Sequence, residues 1–398
     1  MSRIFDGLKV IDCASYIAGP AAATVMSDFG AEVIKIEPPG LGDPYRGVAI
    51  RPADAPTSPN WVMDARNKKS LAINLASEGG REVLYKLVAG ADVFITNYPP
   101  PVRRKLRIGL DDLAPLNDRL IYCSFTGYGE TGPEADKPGF DVTAWWARSG
   151  LMDLVRSGPD AIPARSLGGM GDHPSAMAVY GAIVTALYQR EKTGKGTHVG
   201  SSLLANGLWA NSCSVQQELC GEKVSIQPSR ARAPGPTRNH YQCRDGHWII
   251  LSIVPTEERW DKFSKLVGDG VLARDPRYAT AAERDLNAHA LTAQLDDIFA
   301  GRDYAEWKQL LEANGLIFGI VARIEDVAKD QQAIASGALV AFEGEDLLTV
   351  SSPFWLAGQD KVIPKRAPSV GQHNDAVLSD LGYTGEDIAA FRNAGVID

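Results

Sequence analysis

The stretch of this sequence best suited to chemistry is Gly168-Gly169-Met170-Gly171-Asp172-His173-Pro174. Three glycines let a backbone approach a ligand closely, and a carboxylate then stands at a proline-marked helix start. Two readings of Asp172 are open. It is either an N-cap that satisfies orphan N–H groups, or a nucleophile that forms a covalent acyl intermediate in a dry pocket. A second glycine pattern, Gly127-Tyr128-Gly129-Glu130-Thr131-Gly132, fits G-x-G-x-x-G. A dinucleotide site also needs a helix to open there. Pro133, Pro138 and Gly139 follow instead, so the pattern reads as a glycine-rich turn. Gly194-Lys195-Gly196-Thr197 lacks the spacing of a P-loop, and neither H-E-x-x-H nor G-x-S-x-G occurs. The six histidines are scattered, so no metal site is expected. Two basic clusters, Arg66/Lys68/Lys69 and Arg103/Arg104/Lys105/Arg107, read either as solvated faces or as partners for the phosphates of a nucleotide-like ligand.

The elements that must position these residues alternate between strand and helix. Strands are expected at 8–11, 33–36, 71–75, 92–95 and 120–124, with helices at 19–29 and 78–88. That alternation predicts a mostly parallel sheet covered by helices. Residues 127–172 read as a long irregular segment, which inside a compact protein points to function. Helices are predicted over 174–192, ended by Gly194, and over 201–219. Residues 223–240 mix Lys223, Arg230, Arg232 and Arg238 with Pro228, Pro234 and Pro236 and read as an exposed linker. Beyond it come an expected strand over 248–254, helices near 256–267, 282–300 and 303–314, a strand over 317–324, and closing helices over 375–381 and 385–394.

Composition narrows the class. At 398 residues, 44% hydrophobic and 23% charged, the chain suits a soluble globular protein of two or three domains. A net charge of −8 argues against a nucleic-acid binder that works through an overall basic field. The five cysteines are odd in number and show no C-x-x-C spacing, which fits a reducing cytoplasm and neither a disulfide framework nor a structural zinc site. The N-terminal stretch from Met1 to Gly7 has no apolar core, so no signal peptide is expected, and no apolar run is long enough to span a membrane.

Several short motifs, taken in order, resemble those of the family III CoA-transferases. They are Leu8-Lys9-Val10-Ile11-Asp12, Ala18-Gly19-Pro20, Asp28-Phe29-Gly30-Ala31-Glu32-Val33-Ile34-Lys35-Ile36-Glu37, Asn67-Lys68-Lys69-Ser70, Asn97-Tyr98, Gly127-Tyr128-Gly129, Gly171-Asp172-His173, Lys192 to Gly196, and Gly371-Gln372-His373. The likeness runs along essentially the whole chain. It implies an α/β fold: a Rossmann-like large domain formed by both chain ends, a smaller inserted α+β domain, and an interlocked homodimer. The expected boundaries are 1–222 for the first part of the large domain, 223–240 for a linker, 241–325 for the small domain, and 326–398 for the return.

The resemblance also implies a reaction. CoA would move from an acyl-CoA, succinyl-CoA or acetyl-CoA, to a small carboxylic acid through an aspartyl-CoA thioester on Asp172. Gly169 and Gly171 would supply the oxyanion loop. Ala18, Ile73, Asn97, Tyr98, Arg107 and Lys137 would bind CoA, which acts as a substrate; no permanently bound cofactor, no metal, no nucleic acid and no membrane are expected. Ile17, Phe140, Trp145 and Trp146 are candidates for the acyl pocket, the two tryptophans reading equally as core. Departures bear on the substrate. Pro38 stands where the formyl-CoA branch has a phosphate-binding arginine, and Ile17 where it has a glutamine. In Gly139-Phe140-Asp141, Phe140 stands where the racemase branch has a histidine, which argues against two-base proton exchange. An acyl-CoA isomerase or racemase of the same family remains the alternative.

Overall fold

The computed structural model describes residues 3–48, 58–253 and 256–398; Met1 and Ser2 of the N-terminal stretch and Val254 of an expected strand lie outside them. The chain divides into two compact units. One comprises residues 1–152, 165–222 and 334–398, and the other 153–164 and 223–333.

The first unit is built on six parallel strands: β1 (Lys9–Asp12), β2 (Glu32–Glu37), β3 (Lys69–Ala72), β4 (Val93–Thr96), β5 (Ile121–Thr126) and β6 (His198–Ser202). Their order is β3-β2-β1-β4-β5-β6. Successive residues point to opposite faces, and both faces are covered. Val10, Val33, Val93 and Ile121 enter one core, and Ile11, Ile34, Phe94 and Tyr122 the other. Helices α1 (Ala18–Asp28) and α5 (Asp172–Thr193) pack together over the first face. Every residue of α1 is buried, which explains its run of alanine, glycine and other small side chains. Helix α3 (Glu78–Ala89) covers the second face, and α4 (Pro100–Leu106) follows β4. Three further helices belong to this part: α2 (Pro59–Asp64) before β3, and the pair α6 (Leu203–Ala210) and α7 (Ser212–Leu219) after β6.

The second unit has an antiparallel sheet of β7 (His240–Gln242), β8 (Trp248–Leu251) and β9 (Phe318–Ile320) in that order. Helices α8 (Glu257–Leu266), α9 (Ala288–Phe299) and α10 (Tyr304–Ala313) pack on it around Tyr241, Phe263, Phe299 and Trp307. Residues 334–398 belong again to the first unit. There a hairpin, β10 (Leu339–Ala341) and β11 (Leu348–Val350), precedes α11 (Asn374–Asp380) and α12 (Gly385–Asn393). Val377, Leu378 and Ile388 of these helices share a core with α3, and Ile397 bridges Ile73 beyond β3.

Four expectations change. The segment 127–172 contains a π-helical turn, Asp141–Ala147, and a short helix, Leu151–Leu154. The helix expected over 201–219 is two helices broken at Asn211, whose Nδ2 donates to the Ser149 carbonyl at 2.9 Å. The helix expected over 282–300 is interrupted at Asn287. The strand expected over 317–324 covers only 318–320, and β6 was not expected at all.

Candidate active site

A cavity of about 300 Å³ opens at the C-terminal ends of β1, β4 and β5. The strand order reverses between β1 and β4, and in open parallel sheets that switch point is where ligands settle. Its walls are Ser15 to Ala18 after β1, Asn97 to Pro99 after β4, Phe125 to Gly127 at the end of β5, the loop Lys137 to Phe140, and Asp172.

The turn after β1 is held from two sides. Asn97 accepts the Ser15 N–H at 2.8 Å and donates to the Ser15 carbonyl at 2.6 Å, so both ends of its amide bind one backbone residue. Below, Lys35 donates to the Ala14 carbonyl and pairs with Asp43 at 2.8 Å, while Lys68 reaches Asp12 at 2.9 Å and the Pro20 carbonyl at 2.7 Å. Asp43 in turn accepts the N–H groups of Tyr16 at 3.2 Å and Tyr45 at 2.9 Å. This network fixes Tyr16 in the left-handed region, at φ 63°. Burial alone would push Lys35 down, but Asp12 and Asp43 outweigh it and hold the ammonium above the ordinary lysine range.

Asp172 is the first residue of the 22-residue helix α5. Gly171 is the N-cap and carries no side-chain cap, so the capping reading of Asp172 is corrected. A carboxylate at that position faces the positive end of the helix. Burial nevertheless pushes Asp172 up to about 7, and Asp141 and Asp64 add to the shift while His173 opposes it. Asp141 Oδ2 also accepts the Gly171 N–H at 3.3 Å, so that donor is engaged by a carboxylate.

The glycines before Asp172 have contact reasons. A Cβ on Gly171 would lie 2.7 Å from the Trp145 ring, and Gly169 at φ 79° would place one 3.1 Å from His173 Nδ1. His173 uses both ring nitrogens, Nδ1 against the Gly169 carbonyl at 3.2 Å and Nε2 against Asp64 at 3.1 Å.

Ile17, Ala18, Asn97, Tyr98, Lys137 and Phe140 thus share the cavity with Asp172. Lys137 also pairs with Glu134 at 2.7 Å and lies over the Tyr128 ring. Tyr98, beside Ser15 Oγ at 3.4 Å, is pushed up to about 12 by burial. Ile73 is not a wall residue; it is 1% exposed inside the core under α3. Arg107 is exposed at the left-handed end of α4 and is not among the lining residues; its carbonyl accepts the Tyr85 hydroxyl. Trp145 and Trp146 are buried, stacked at 6.0 Å and absent from the wall; Trp145 packs behind the glycine loop.

Each cation of the first basic cluster is engaged by a carboxylate. Arg66 is locked to Asp28 at 2.6 Å, Lys68 to Asp12 and Lys69 to Glu32. In the second, Arg103 is buried against Glu130. Sequence reasoning missed Tyr16, Asp43, Asp64 and the role of Lys35. A lysine inside the buried strand Glu32–Glu37 was the available signal, since such a residue requires a partner.

The model of CoA-transferase family III matches residues 5–374. The chain is 32% identical to (R)-2-hydroxy-4-methylpentanoate CoA-transferase of Clostridioides difficile, over 99% of each chain. It is 30% identical to cinnamoyl-CoA:phenyllactate CoA-transferase of Clostridium sporogenes, over 97% of this chain and 95% of that one. A solved structure of a CAIB/BAIF family protein from Brucella suis superposes with a TM-score of 0.86 at 29% identity, covering 96% of this chain and all of that one. With a six-stranded parallel sheet, a switch-point cavity and matches of this extent, the chain belongs to CoA-transferase family III and is a CoA-transferase.

Proposed function

We propose that the protein moves CoA from an acyl-CoA donor, succinyl-CoA or acetyl-CoA, to a carboxylic acid through a thioester on Asp172. The observation that carries this reading is a carboxylate that opens α5 inside the switch-point cavity, in a chain of this family. The ionised Asp172 attacks the donor thioester carbonyl; the C–S bond breaks, CoA thiolate leaves, and a mixed anhydride remains. The thiolate then attacks the Asp172 carbonyl, which forms the aspartyl-CoA thioester and releases the donor acid. The acceptor carboxylate attacks that thioester, and the returning thiolate takes the acceptor acyl group and frees Asp172. Every step exchanges activated acyl bonds, so water must be kept out.

Ile17, Phe140 and the walls around Tyr98 and Lys137 supply a mostly apolar lining around Asp172 for this purpose. Asn97 shapes the CoA side through Ser15, and exposed Arg107 meets the CoA phosphates at the rim. Gly169 and Gly171 are the oxyanion loop; an oxyanion at Gly171 competes with Asp141 for the same N–H. The names of two relatives, which act on 2-hydroxy acids, support an acceptor of that class.

The working form is a homodimer of interlocked chains, in which residues 223–240 link the large domain to the small one. In support, α5 to α7 expose Tyr188, Trp209 and Leu219, with Trp209 81% exposed. A cytoplasmic site of action is supported by five free thiols. Among the described residues no helix is long and apolar enough to cross a membrane.

The test is one mixed reaction. Succinyl-CoA or acetyl-CoA is offered with 2-hydroxy, dicarboxylic, sulfinic and aryl acids, and new CoA esters are read by mass spectrometry. A new ester that disappears in Asp172→Ala, with the fold intact, is the expected result. Transfer retained by Asp172→Ala overturns the nucleophile, and α-deuterium wash-in without any acceptor would favour the isomerase reading.

A further inference from the structure

The side chain next to the nucleophile is placed for a task of its own. His173 Nδ1 lies 3.2 Å from the Gly169 carbonyl and Nε2 lies 3.1 Å from Asp64 Oδ1. A carbonyl can only accept, and so can a carboxylate. Neutral imidazole has one N–H and one lone pair, and cannot donate to both. Two acceptors on two ring nitrogens call for two protons.

The surroundings agree. Asp64 is buried, and among the described residues its other side-chain partner is the neutral Tyr45 hydroxyl, donating at 3.0 Å. A buried carboxylate needs a cation. Two neighbouring cations among the described residues are committed elsewhere: Arg66 to Asp28 and the Met63 carbonyl, and Lys68 to Asp12 and the Pro20 carbonyl. His173 keeps part of its ring exposed, with 42% side-chain accessibility, which lowers the cost of its charge. It also donates its backbone N–H to the same Gly169 carbonyl at 3.1 Å. The ring sits so near Gly169 that a Cβ there would come 3.1 Å from Nδ1.

We propose that His173 is a positioning residue held as an imidazolium, which ties the Gly169 carbonyl of the glycine loop to buried Asp64 and so aims Asp172 into the cavity. The clamp turns the loop carbonyl toward the imidazolium. It also sets one positive charge beside Asp172, against the negative charges of Asp141 and Asp64. Burial opposes the charge on His173, but Asp64 outweighs it and raises the imidazole above its ordinary range, with Asp172 contributing in the same direction. The effect on turnover rests on the Asp172 reading given above; the charge state of the ring does not.

Nitrogen-15 NMR of the histidine-labelled wild-type protein reads the proposal directly. The ring of His173 is identified by the signal that His173→Gln removes. Both of its nitrogens are expected to be protonated at pH 7, and Asp64→Asn is expected to abolish the second proton at that pH. In the transfer assay, His173→Gln should lower kcat by about 10- to 100-fold through misplacement of Asp172, with KM for the acyl-CoA changed less than about twofold. A wild-type His173 with a single proton at pH 7 overturns the proposal whatever the variants do. A His173→Gln enzyme with wild-type kcat overturns the positioning role. Transfer retained by Asp172→Ala, together with a doubly protonated ring, would sink the nucleophile reading and leave the imidazolium clamp standing.

Discussion

Asp172 is costly in the ionisation state its chemistry needs. Burial first, then Asp141, carry its carboxyl from the ordinary 3.8 up to about 7. Between those values the folded protein holds a proton that the unfolded chain has lost. Folding is therefore weakened as pH rises through that window, and the full penalty is present above about 7. Asp172→Asn is expected to be more stable than the native protein at pH 8 by about 4 kcal/mol, with the gain vanishing near pH 4. Urea melts at the two pH values check this, and equal stability at pH 8 would refute it. By the same sign, kcat/KM of the native enzyme should fall as pH drops below about 7. At this scale the sequence displayed the acid and the glycines, and their chemical suitability could be read. The reasons for the glycines could not, because the Trp145 ring and the His173 ring reach them only in the folded chain.

Elements set what those residues can reach. The turn after β1 and the turn after β4 face each other across the switch point, and Asn97 is the rivet between them. Asn97→Ala removes an acceptor and a donor from the Ser15 backbone and leaves both backbone groups to find water. We expect a loss of about 1–3 kcal/mol in stability, and a rise in KM for every acyl-CoA tested. A change confined to one donor would mean that Asn97 reads the acyl group. The central strands were legible because parallel strands buried on both faces are almost continuously apolar. β6 was not, since His198-Val199-Gly200-Ser201-Ser202 is a half-exposed edge strand with one large apolar residue. The π-helical turn Asp141–Ala147 hid behind Pro138 and Gly139, which signal a loop. It is the element that delivers Asp141 to the Gly171 N–H.

Across the whole molecule, strand–helix alternation announced a parallel sheet but not which distant segments complete it; the return of the C-terminal part came only through the family resemblance. In the structure that return is extensive. Phe354 stacks on Phe29 at 4.7 Å, the Ser352 hydroxyl bonds Asp28, and the Val362 N–H bonds the Asp28 carbonyl. A chain that stops after Ala333 would lose these contacts and the helices α11 and α12 from the core beneath α3. It is expected to be insoluble or to lack a cooperative thermal transition by circular dichroism. A soluble, cooperatively melting fragment would show that residues 334–398 are dispensable to the large unit.

The bridge between Ile73 and Ile397 has a consequence for how the protein is made. At roughly 5–20 residues per second, the ribosome needs roughly 15–65 s to pass from the first of these residues to the second. Throughout that interval the β3 edge, Leu75 and the core face of α3 wait without the segment that covers them, and residues 223–333 emerge before it as a separate unit with a core of their own. The nascent large unit is therefore an unfinished sheet with an exposed apolar face, the kind of intermediate that chaperones bind. Its yield in a cell will depend on how fast the intervening stretch is translated.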